Sequence, residues 1–237
     1  MRAVILAGGK GTRLRPYTTV FPKPLVPVGD MPVLEILLRQ LRRYGICDIT
    51  IAVGHLAELI QAFFGDGSKL RLNITYSVED KPLGTAGPLA LIGGLDSDFI
   101  VMNGDLLTTL PYSDLVRAHK EQKAAATIGV HKKDVKIDLG LLEFNKEGNI
   151  TKYIEKPTYH HFVSMGVYVF SPRVLQYIER DKYLDFPDLV QILLNKGEKV
   201  YAFQSDDYWL DIGRQEDYQQ AIEVFESQKH LFLGDSF

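Results

Sequence analysis

The stretch LAGGKGTRLRP, residues 6–16, begins with the last two residues of a short apolar run at the start of the chain. Apart from Arg2, residues 2–7 are apolar and stop at two glycines, a pattern that is typical of a buried parallel strand ending in a glycine loop. Glycines let backbone N–H groups approach phosphate oxygens closely, and Arg13 and Arg15 add bidentate donors. The stretch therefore predicts a first strand that leads into a phosphate-binding loop. The alternative is a tight strand-to-helix turn with surface arginines.

Two well-known glycine loops do not match these letters. A dinucleotide-binding GxGxxG motif that starts at Gly9 would need glycine where Leu14 stands, and the Gly-Lys-Ser/Thr ending of a Walker A loop is absent. Downstream, Lys23 lies between Pro22 and Pro24, whose rings reduce the freedom of the loop that carries the lysine. Lys23 can then meet a phosphate with little further loss of entropy. A solvated lysine in a proline-rich loop is the alternative.

The rest of the first half alternates strands and helices. Predicted strands cover residues 2–7, 48–53, 74–78 and 99–102, and predicted helices cover 33–41, 57–64 and 86–91. This alternation predicts an α/β sandwich around a mostly parallel sheet, in which ligands bind beyond the carboxyl ends of the strands. We therefore expect the site in the loops that follow Ala7, Glu79, Met102, Phe170 and Leu210.

The pattern changes after residue 130. Residues 139–144 and 150–155 are typical of two strands joined by a turn at 145–149. A strand at 162–170, a helix that begins behind Ser171, a helix at 188–195, a strand at 200–203 and a helix from about 216 to 231 complete the prediction.

Composition excludes several classes of protein. The chain has 237 residues, of which 46% are hydrophobic and 24% charged, as expected for one ordinary globular domain. The net charge of −3 argues against nucleic-acid binding, and no apolar run is long enough to span a membrane. The N-terminus is too short and glycine-rich for a signal peptide, and Cys47 is the single cysteine, so we expect a reducing cytoplasm.

Six motifs follow the glycine loop along the chain. They are FPKPLVPV at 21–28, PLGTAGPL at 82–89, NGD at 103–105, EKP at 155–157, MGVYVF at 165–170 and WLDIG at 209–213. In this order they resemble the signature of the sugar-1-phosphate nucleotidyltransferases, also called nucleoside-diphosphate-sugar pyrophosphorylases. The LGTAGPLAL stretch is more similar to mannose-1-phosphate guanylyltransferases than to thymidylyltransferases.

The resemblance implies both a fold and a reaction. The fold is α/β, a Rossmann-like three-layer sandwich with a mostly parallel mixed sheet and a small β-rich sugar-binding subdomain. Within a single domain, residues of about 1–130 would bind nucleotide, about 131–215 would bind sugar phosphate, and about 216–237 would form a C-terminal helix. The reaction transfers a nucleoside monophosphate from a nucleoside triphosphate to a sugar 1-phosphate and releases pyrophosphate.

Two aspartates from distant motifs are candidate metal ligands. Asp105 follows the strand at 99–102, and Asp211 lies in the last motif. Hard oxygen ligands from separate loops suit Mg²⁺, which usually takes its other ligands from water and phosphates. In the family that these motifs resemble, the matching pair holds Mg²⁺. Taken alone, each aspartate would more simply be a turn residue.

Glu79 is a candidate reader of the nucleobase. A carboxylate accepts hydrogen bonds, and guanine offers adjacent N1–H and N2–H donors, so Glu79 favours GTP. A solvated glutamate at a strand end is the alternative, and some relatives with an acid here use uridine nucleotides. The resemblance implies a nucleotide-binding set that consists of Leu6, Ala7, Gly8, Gly9, Gly11, Thr12, Arg13, Glu79, Pro82, Gly84, Thr85, Asn103 and Gly104.

The sugar 1-phosphate would bind near the EKP motif. The family lysine that matches Lys156 binds the sugar phosphate, and the glutamate that matches Glu155 meets sugar hydroxyls. The resemblance places Lys23, Gly140, Gly166 and Asp211 in the same substrate-binding set. This chain has Ser164-Met165-Gly166 where the family usually has Asn-Ala-Gly, and Leu139-Gly140 where it usually has Tyr-Gly, so the identity of the sugar stays open.

The resemblance also implies catalytic roles. Lys23 would stabilise the α-phosphate, Asp105 would hold the metal, and Arg13 with the glycine loop would hold the β- and γ-phosphates. The nucleophile is already an anion, so catalysis would rest on alignment and charge neutralisation. A non-catalytic relative that senses nucleotides is the rival class, since fold alone does not assign activity.

The C-terminal region leaves two alternatives open. We find no hexapeptide repeats and expect no fused left-handed β-helix. The apolar residues Leu231, Phe232, Leu233 and Phe237 can pack on the domain itself or on a second subunit, which would make a homodimer.

Overall fold

The structure is a computed structural model that describes residues 1–9, 11–14 and 17–234. Arg15 and Phe237 lie outside the described residues. The strands are β1 (Arg2–Ala7), β2 (Pro27–Val28), β3 (Met31–Pro32), β4 (Asp48–Val53), β5 (Asn73–Val78), β6 (Phe99–Asn103), β7 (Leu106–Thr108), β8 (Ala126–Lys136), β9 (Leu141–Phe144), β10 (Ile150–Ile154), β11 (Thr158–Phe170), β12 (Val200–Gln204) and β13 (Trp209–Asp211). The α-helices are α1 (Val33–Arg43), α2 (Ala57–Phe64), α3 (Tyr112–Gln122), α4 (Phe186–Asn195) and α5 (Gln215–Leu233).

A mixed central sheet runs in the order β12-β8-β11-β6-β1-β4-β5. Strands β6, β1, β4 and β5 pair in parallel, whereas β11 is antiparallel to both β6 and β8. The mostly parallel direction confirms the predicted sheet. It also aligns the carboxyl ends of β1, β4, β5 and β6 along one edge, where the site forms.

Helical segments cover both faces of this sheet. Alternate residues of β1 divide between two buried clusters: Ile5 packs with residues of α1, α2 and α3, whereas Val4 packs with residues of α4 and the short helix Gly87–Leu91. This alternation is what a strand buried on both faces requires. The predicted three-layer sandwich is therefore confirmed.

A third buried cluster joins α5 to α1 and to the small β7–β13 sheet. Phe232 is fully buried and Leu233 is 6% exposed, whereas Leu231 is 48% exposed. Two of the apolar residues near the end therefore pack on the domain itself. Across the described residues, we find no helix with the length and apolarity needed to cross a membrane.

Several observed elements depart from the predicted ones. The predicted helix at 86–91 is a 3₁₀ helix, Gly87–Leu91. Strand β11 is longer than predicted, because its first half pairs with β8 beyond the main sheet. The expectation that the loop after Phe170 borders the site is wrong, because β11 runs antiparallel and ends at the opposite edge of the sheet.

Candidate active site

Lys23 lies between two carboxylates at the ligand-binding edge of the sheet. Its ammonium forms an ion pair with Asp105 and lies 3.7 Å from an Oδ1 oxygen of Asp211. Lys23 is only 9% exposed, and a lysine is rarely buried to this extent unless it is paired with an opposite charge, as it is here. The structure thus brings together three residues that the motifs predicted separately.

Backbone pairing between β7 and β13 brings the two aspartates together. Asp211 pairs with Leu106 in an antiparallel register, and the Ile212 N–H donates to the Asp105 carbonyl at 3.1 Å. The Trp209 indole N–H donates to the Met165 carbonyl at 2.8 Å, which ties β13 to β11. The carboxylate separation is therefore set by strand pairing.

The two aspartates are suited to holding a divalent cation. Burial raises the pKa of Asp211, and the negative charge of Asp105 raises it further, while Lys23 and Arg13 oppose the shift. A metal cation bound by these oxygens, in addition to the Lys23 ammonium, would relieve the repulsion between the two carboxylates. Because carboxylate oxygens are hard donors, the pair fits Mg²⁺. Among the described residues, no group of three or more His, Cys, Asp or Glu side chains forms a metal cluster. The remaining ligands would have to come from phosphates or water.

The glycine loop packs directly against the segment that carries Lys23. Gly11 has a φ of +58°, and a Cβ there would come within 3.0 Å of the Cβ of Lys23 and the Cγ2 of Thr18. The Thr18 hydroxyl donates to the Gly11 carbonyl at 2.6 Å. Only glycine meets both demands without strain, so Gly11 allows the loop and the lysine to face one cavity.

That cavity has a volume of about 260 Å³. It is lined by Leu6, Ala7, Gly9, Gly11, Thr12, Arg13, Lys23, Pro24, Asp105 and Gly213. Cationic side chains and glycine backbone in one concave surface are the donors that phosphate groups require. The sequence did not predict Pro24 and Gly213 as site residues.

A second cavity of about 680 Å³ adjoins the first and shares Leu6, Gly9 and Asp105 with it. Of the residues predicted for nucleotide binding, Leu6, Gly8, Gly9, Glu79, Pro82, Gly84, Thr85 and Asn103 line it. Its size suits a nucleoside. Gly104 packs instead against β1, where its N–H donates to the Leu6 carbonyl at 2.9 Å.

Glu79 follows β5, and in this second cavity its carboxylate lies against Gly8 and Gly54, which follow β1 and β4. Its Oε2 accepts the Leu83 N–H at 3.1 Å, and a Cβ at Gly8 or Gly54 would come within 2.7 or 2.8 Å of its Oε1. Burial raises the pKa of Glu79, and the Leu83 N–H opposes that shift. Among the described residues, Oε1 has no hydrogen-bond partner, so it is available to accept one.

The residues predicted for the sugar are distributed differently. Gly166, at a φ of +70°, packs against Asn103, where a Cβ would come within 2.6 Å of the amide nitrogen. Gly140, Glu155 and Lys156 lie on or beside the β9–β10 hairpin, and they line neither of the two cavities in the described part of the chain.

The hairpin residues contact one another. Tyr153 donates to Glu155 at 3.0 Å and lies against Gly140, and the Lys156 ammonium is 3.9 Å from Glu155. Their role in sugar binding stays a prediction.

Two residues of the second cavity, which we call the nucleoside cavity, had no signal in the sequence. Tyr183 and Asp185 line it, although they lie about 100 positions from Thr85 along the chain. They fall within the part of the chain that was expected to bind sugar phosphate. Their neighbour Pro187 indicates the start of a helix, and this local signal says nothing about nucleoside binding.

Comparison with known proteins agrees with this geometry. A family described as Nucleotidyl transferase matches residues 2–228, and the chain belongs to that family. It is 38% identical to a UTP–glucose-1-phosphate uridylyltransferase from Synechocystis, over 94% of this chain and 62% of the relative. It is 37% identical to a mannose-1-phosphate guanyltransferase from Schizosaccharomyces pombe, over 92% of this chain and 62% of the relative.

A solved structure shares the fold over nearly the full length of both chains. It is described as a glucose-1-phosphate thymidylyltransferase from Bacillus anthracis in complex with sucrose, and it superposes with a TM-score of 0.76 at 26% identity. The match covers 100% of this chain and 96% of that one. The two curated relatives are longer, since this chain spans 62% of their length.

Proposed function

We propose that the chain transfers a nucleoside monophosphate from a nucleoside triphosphate to a sugar 1-phosphate and releases pyrophosphate. The observation that carries this proposal is the buried Lys23 between Asp105 and Asp211, which lines one cavity together with the glycine loop. The relatives named above are nucleotidyltransferases for sugar phosphates, which supports the same reaction class.

The chemistry follows from the charges of the reacting groups. A phosphate oxygen of the sugar 1-phosphate attacks the α-phosphorus, and the bond to the pyrophosphate leaving group breaks. The nucleophile needs no general base because it is already ionised, so alignment and neutralisation of charge supply the catalysis. Lys23 stabilises the charge on the α-phosphate, while Arg13 and the glycine loop bind the outer phosphates. Mg²⁺ held by Asp105 and Asp211 supplies further neutralisation when it is bound.

We propose GTP as the preferred nucleotide. Glu79 lines the cavity in which a nucleobase would lie, its Oε1 has no hydrogen-bond partner among the described residues, and a carboxylate complements the adjacent N–H donors of guanine. The relatives do not decide the matter, since one uses UTP and another is a guanyltransferase. The same reaction with UTP, CTP or dTTP and a glucose-type 1-phosphate is the alternative.

We propose mannose 1-phosphate, or a related hexose or heptose 1-phosphate, as the acceptor. Lys156 would bind its phosphate and Glu155 its hydroxyls, with Gly140 and Gly166 against the sugar ring. A homodimer and a cytoplasmic site of action stay predictions of the sequence. Leu231 is the exposed apolar residue of α5 that a partner subunit would cover.

The test is a matrix of substrates. Pyrophosphate release would be measured with GTP, CTP, UTP, dTTP and ATP against mannose, glucose, glucosamine and heptose 1-phosphates, with Mg²⁺ present. We expect the highest rate with GTP and mannose 1-phosphate. A GTP rate no higher than the others refutes the argument from Glu79, and no pyrophosphate release from any pair favours a non-catalytic nucleotide sensor.

A further inference from the structure

The loop that carries Gly84 and Thr85 is held by a distant segment, residues 182–186, which we call the clamp segment. The backbone of Leu184 bonds to the loop residues before and after Gly84 and Thr85. Its N–H donates to the Leu83 carbonyl at 2.9 Å, and its carbonyl accepts the N–H of Ala86 at 2.9 Å. A Cβ at Gly84, which has a φ of +80°, would come within 2.5 Å of that carbonyl oxygen. The glycine is therefore needed for this close approach as well as for the turn.

Asp185 adds side-chain bonds to the backbone pairing. Its Oδ1 accepts both the Thr85 N–H at 2.9 Å and the Thr85 hydroxyl at 3.1 Å, and that hydroxyl in turn accepts the Phe186 N–H at 2.8 Å. Burial alone would raise the pKa of Asp185, but hydrogen bonds from Tyr183 and Thr85 outweigh it and lower the pKa. Asp185 thus stays an acceptor at neutral pH and fixes the loop.

Tyr183 is anchored by its hydroxyl and open on its ring. The hydroxyl donates to Asp185 Oδ2 at 2.6 Å, and the residue as a whole is 63% exposed. Tyr183 also lines the nucleoside cavity, together with Glu79 and Thr85. An exposed aromatic ring whose hydroxyl is anchored by a hydrogen bond is suited to stacking on a nucleobase.

We propose that Tyr183 contacts the nucleobase as the outer wall of the nucleoside cavity, and that Asp185 is a positioning residue that fixes both this ring and the loop with Thr85. This inference rests on the proposed nucleotide-dependent reaction and names two further residues of its nucleoside site. It predicts that both residues act on the base and ribose and not on the phosphates, which bind about the glycine loop in the adjoining cavity.

A binding experiment separates the base from the phosphates. Dissociation constants would be measured by calorimetry for GTP, UTP and inorganic tripolyphosphate, each with Mg²⁺ and without sugar 1-phosphate. Tyr183→Ala should weaken binding of GTP and UTP by about tenfold, since the ring is lost. Tripolyphosphate, which has no base, should bind this variant as it binds the wild type.

Matched variants test the two roles of the clamp segment. Tyr183→Phe keeps the ring, so GTP should bind within about threefold of the wild type. Asp185→Ala and Asp185→Asn should both weaken GTP more than tripolyphosphate, and the asparagine variant carries the test if the alanine variant does not fold. Tyr159→Ala removes an exposed tyrosine of β11 that lines neither cavity, and it should leave GTP binding unchanged.

The outcomes distinguish the two proposals. Wild-type protein that binds GTP or UTP, together with a Tyr183→Ala variant of equal affinity, overturns this inference and leaves the proposed function standing. Equal weakening of tripolyphosphate and nucleotides overturns it as well. Wild-type protein that binds no nucleoside triphosphate overturns the proposed function and this inference with it.

Discussion

The two predicted halves of the site differ in how the fold holds their residues. On the nucleotide side, Lys23 is 9% exposed and contacts aspartates from two other segments of the chain. On the sugar side, the side chains of Lys156 and Glu155 are 58% and 60% exposed and contact near neighbours. The comparison teaches that strand ends in one sheet assemble a rigid charge cluster from distant segments, whereas a two-stranded hairpin presents residues without fixing them.

Removal of either Lys23 or Asp105 from the charge cluster should have the largest effect. Lys23→Ala and Asp105→Ala should each lower the rate of pyrophosphate release on the order of 100- to 1000-fold, because preorganised charge is lost where negative charge develops. Circular dichroism should report an intact fold. Lys69→Ala, which changes an exposed lysine of a 3₁₀ helix, is the control. Near-normal rates for either active-site variant would contradict the mechanism.

A smaller effect is expected on the exposed side. Lys156→Ala should raise the KM for sugar 1-phosphate roughly 10- to 100-fold, as the loss of one charged phosphate contact predicts, and leave the KM for nucleotide unchanged. Steady-state kinetics with each substrate varied in turn measures this. Because Lys156 is exposed, the melting temperature should not change. If the KM for nucleotide rose instead, the proposed division of the site would be wrong.

The smallest effect concerns Glu79 and the pH dependence of stability. Burial raises the folded-state pKa of Glu79 above its ordinary value of about 4.5. Its ionised form therefore costs stability, a cost that is absent below pH 4.5 and complete above the folded-state pKa. Glu79→Gln should gain stability relative to the wild type as the pH rises through this window, measured by urea unfolding without nucleotide.

The control for this comparison is Glu58→Gln, at an exposed glutamate of α2. A constant difference in unfolding free energy between Glu79→Gln and wild type across the window would show that burial does not control this carboxyl.

The sequence predicted the parts of the fold that depend on local pattern. Apolar runs that stop at glycine marked β1, and the turn at 145–149 marked the β9–β10 hairpin. Helix α3 was missed because its buried face includes His119, a polar residue that is 1% exposed and bonds to Thr127 and Ser171. A prediction from the spacing of apolar residues does not count a buried polar residue such as His119.

The contacts between distant segments of the chain could not be predicted from the sequence. The pairing of Asp211 with Leu106 joins strands of three residues each, which are too short to give a period-two pattern. The clamp segment is held by backbone hydrogen bonds of Leu184, and such bonds cannot be predicted from side-chain identity because the residues concerned share the same backbone groups. The motifs predicted the residues of the charge cluster, but the strand pairing that sets their separation was visible in the structure alone.

Strand β11 has a consequence for selectivity. It passes Asn103 at Gly166 and begins at Thr158, next to the EKP motif, so one continuous strand joins the two halves of the site. The path of this strand, which has a register shift between Ser164 and Tyr168, therefore sets where the hairpin lies relative to the nucleoside cavity. If the sugar binds at Gly140, Glu155 and Lys156 as proposed, changes at this open end of the hairpin should alter which sugar is accepted while the strand ends of the main sheet keep their positions.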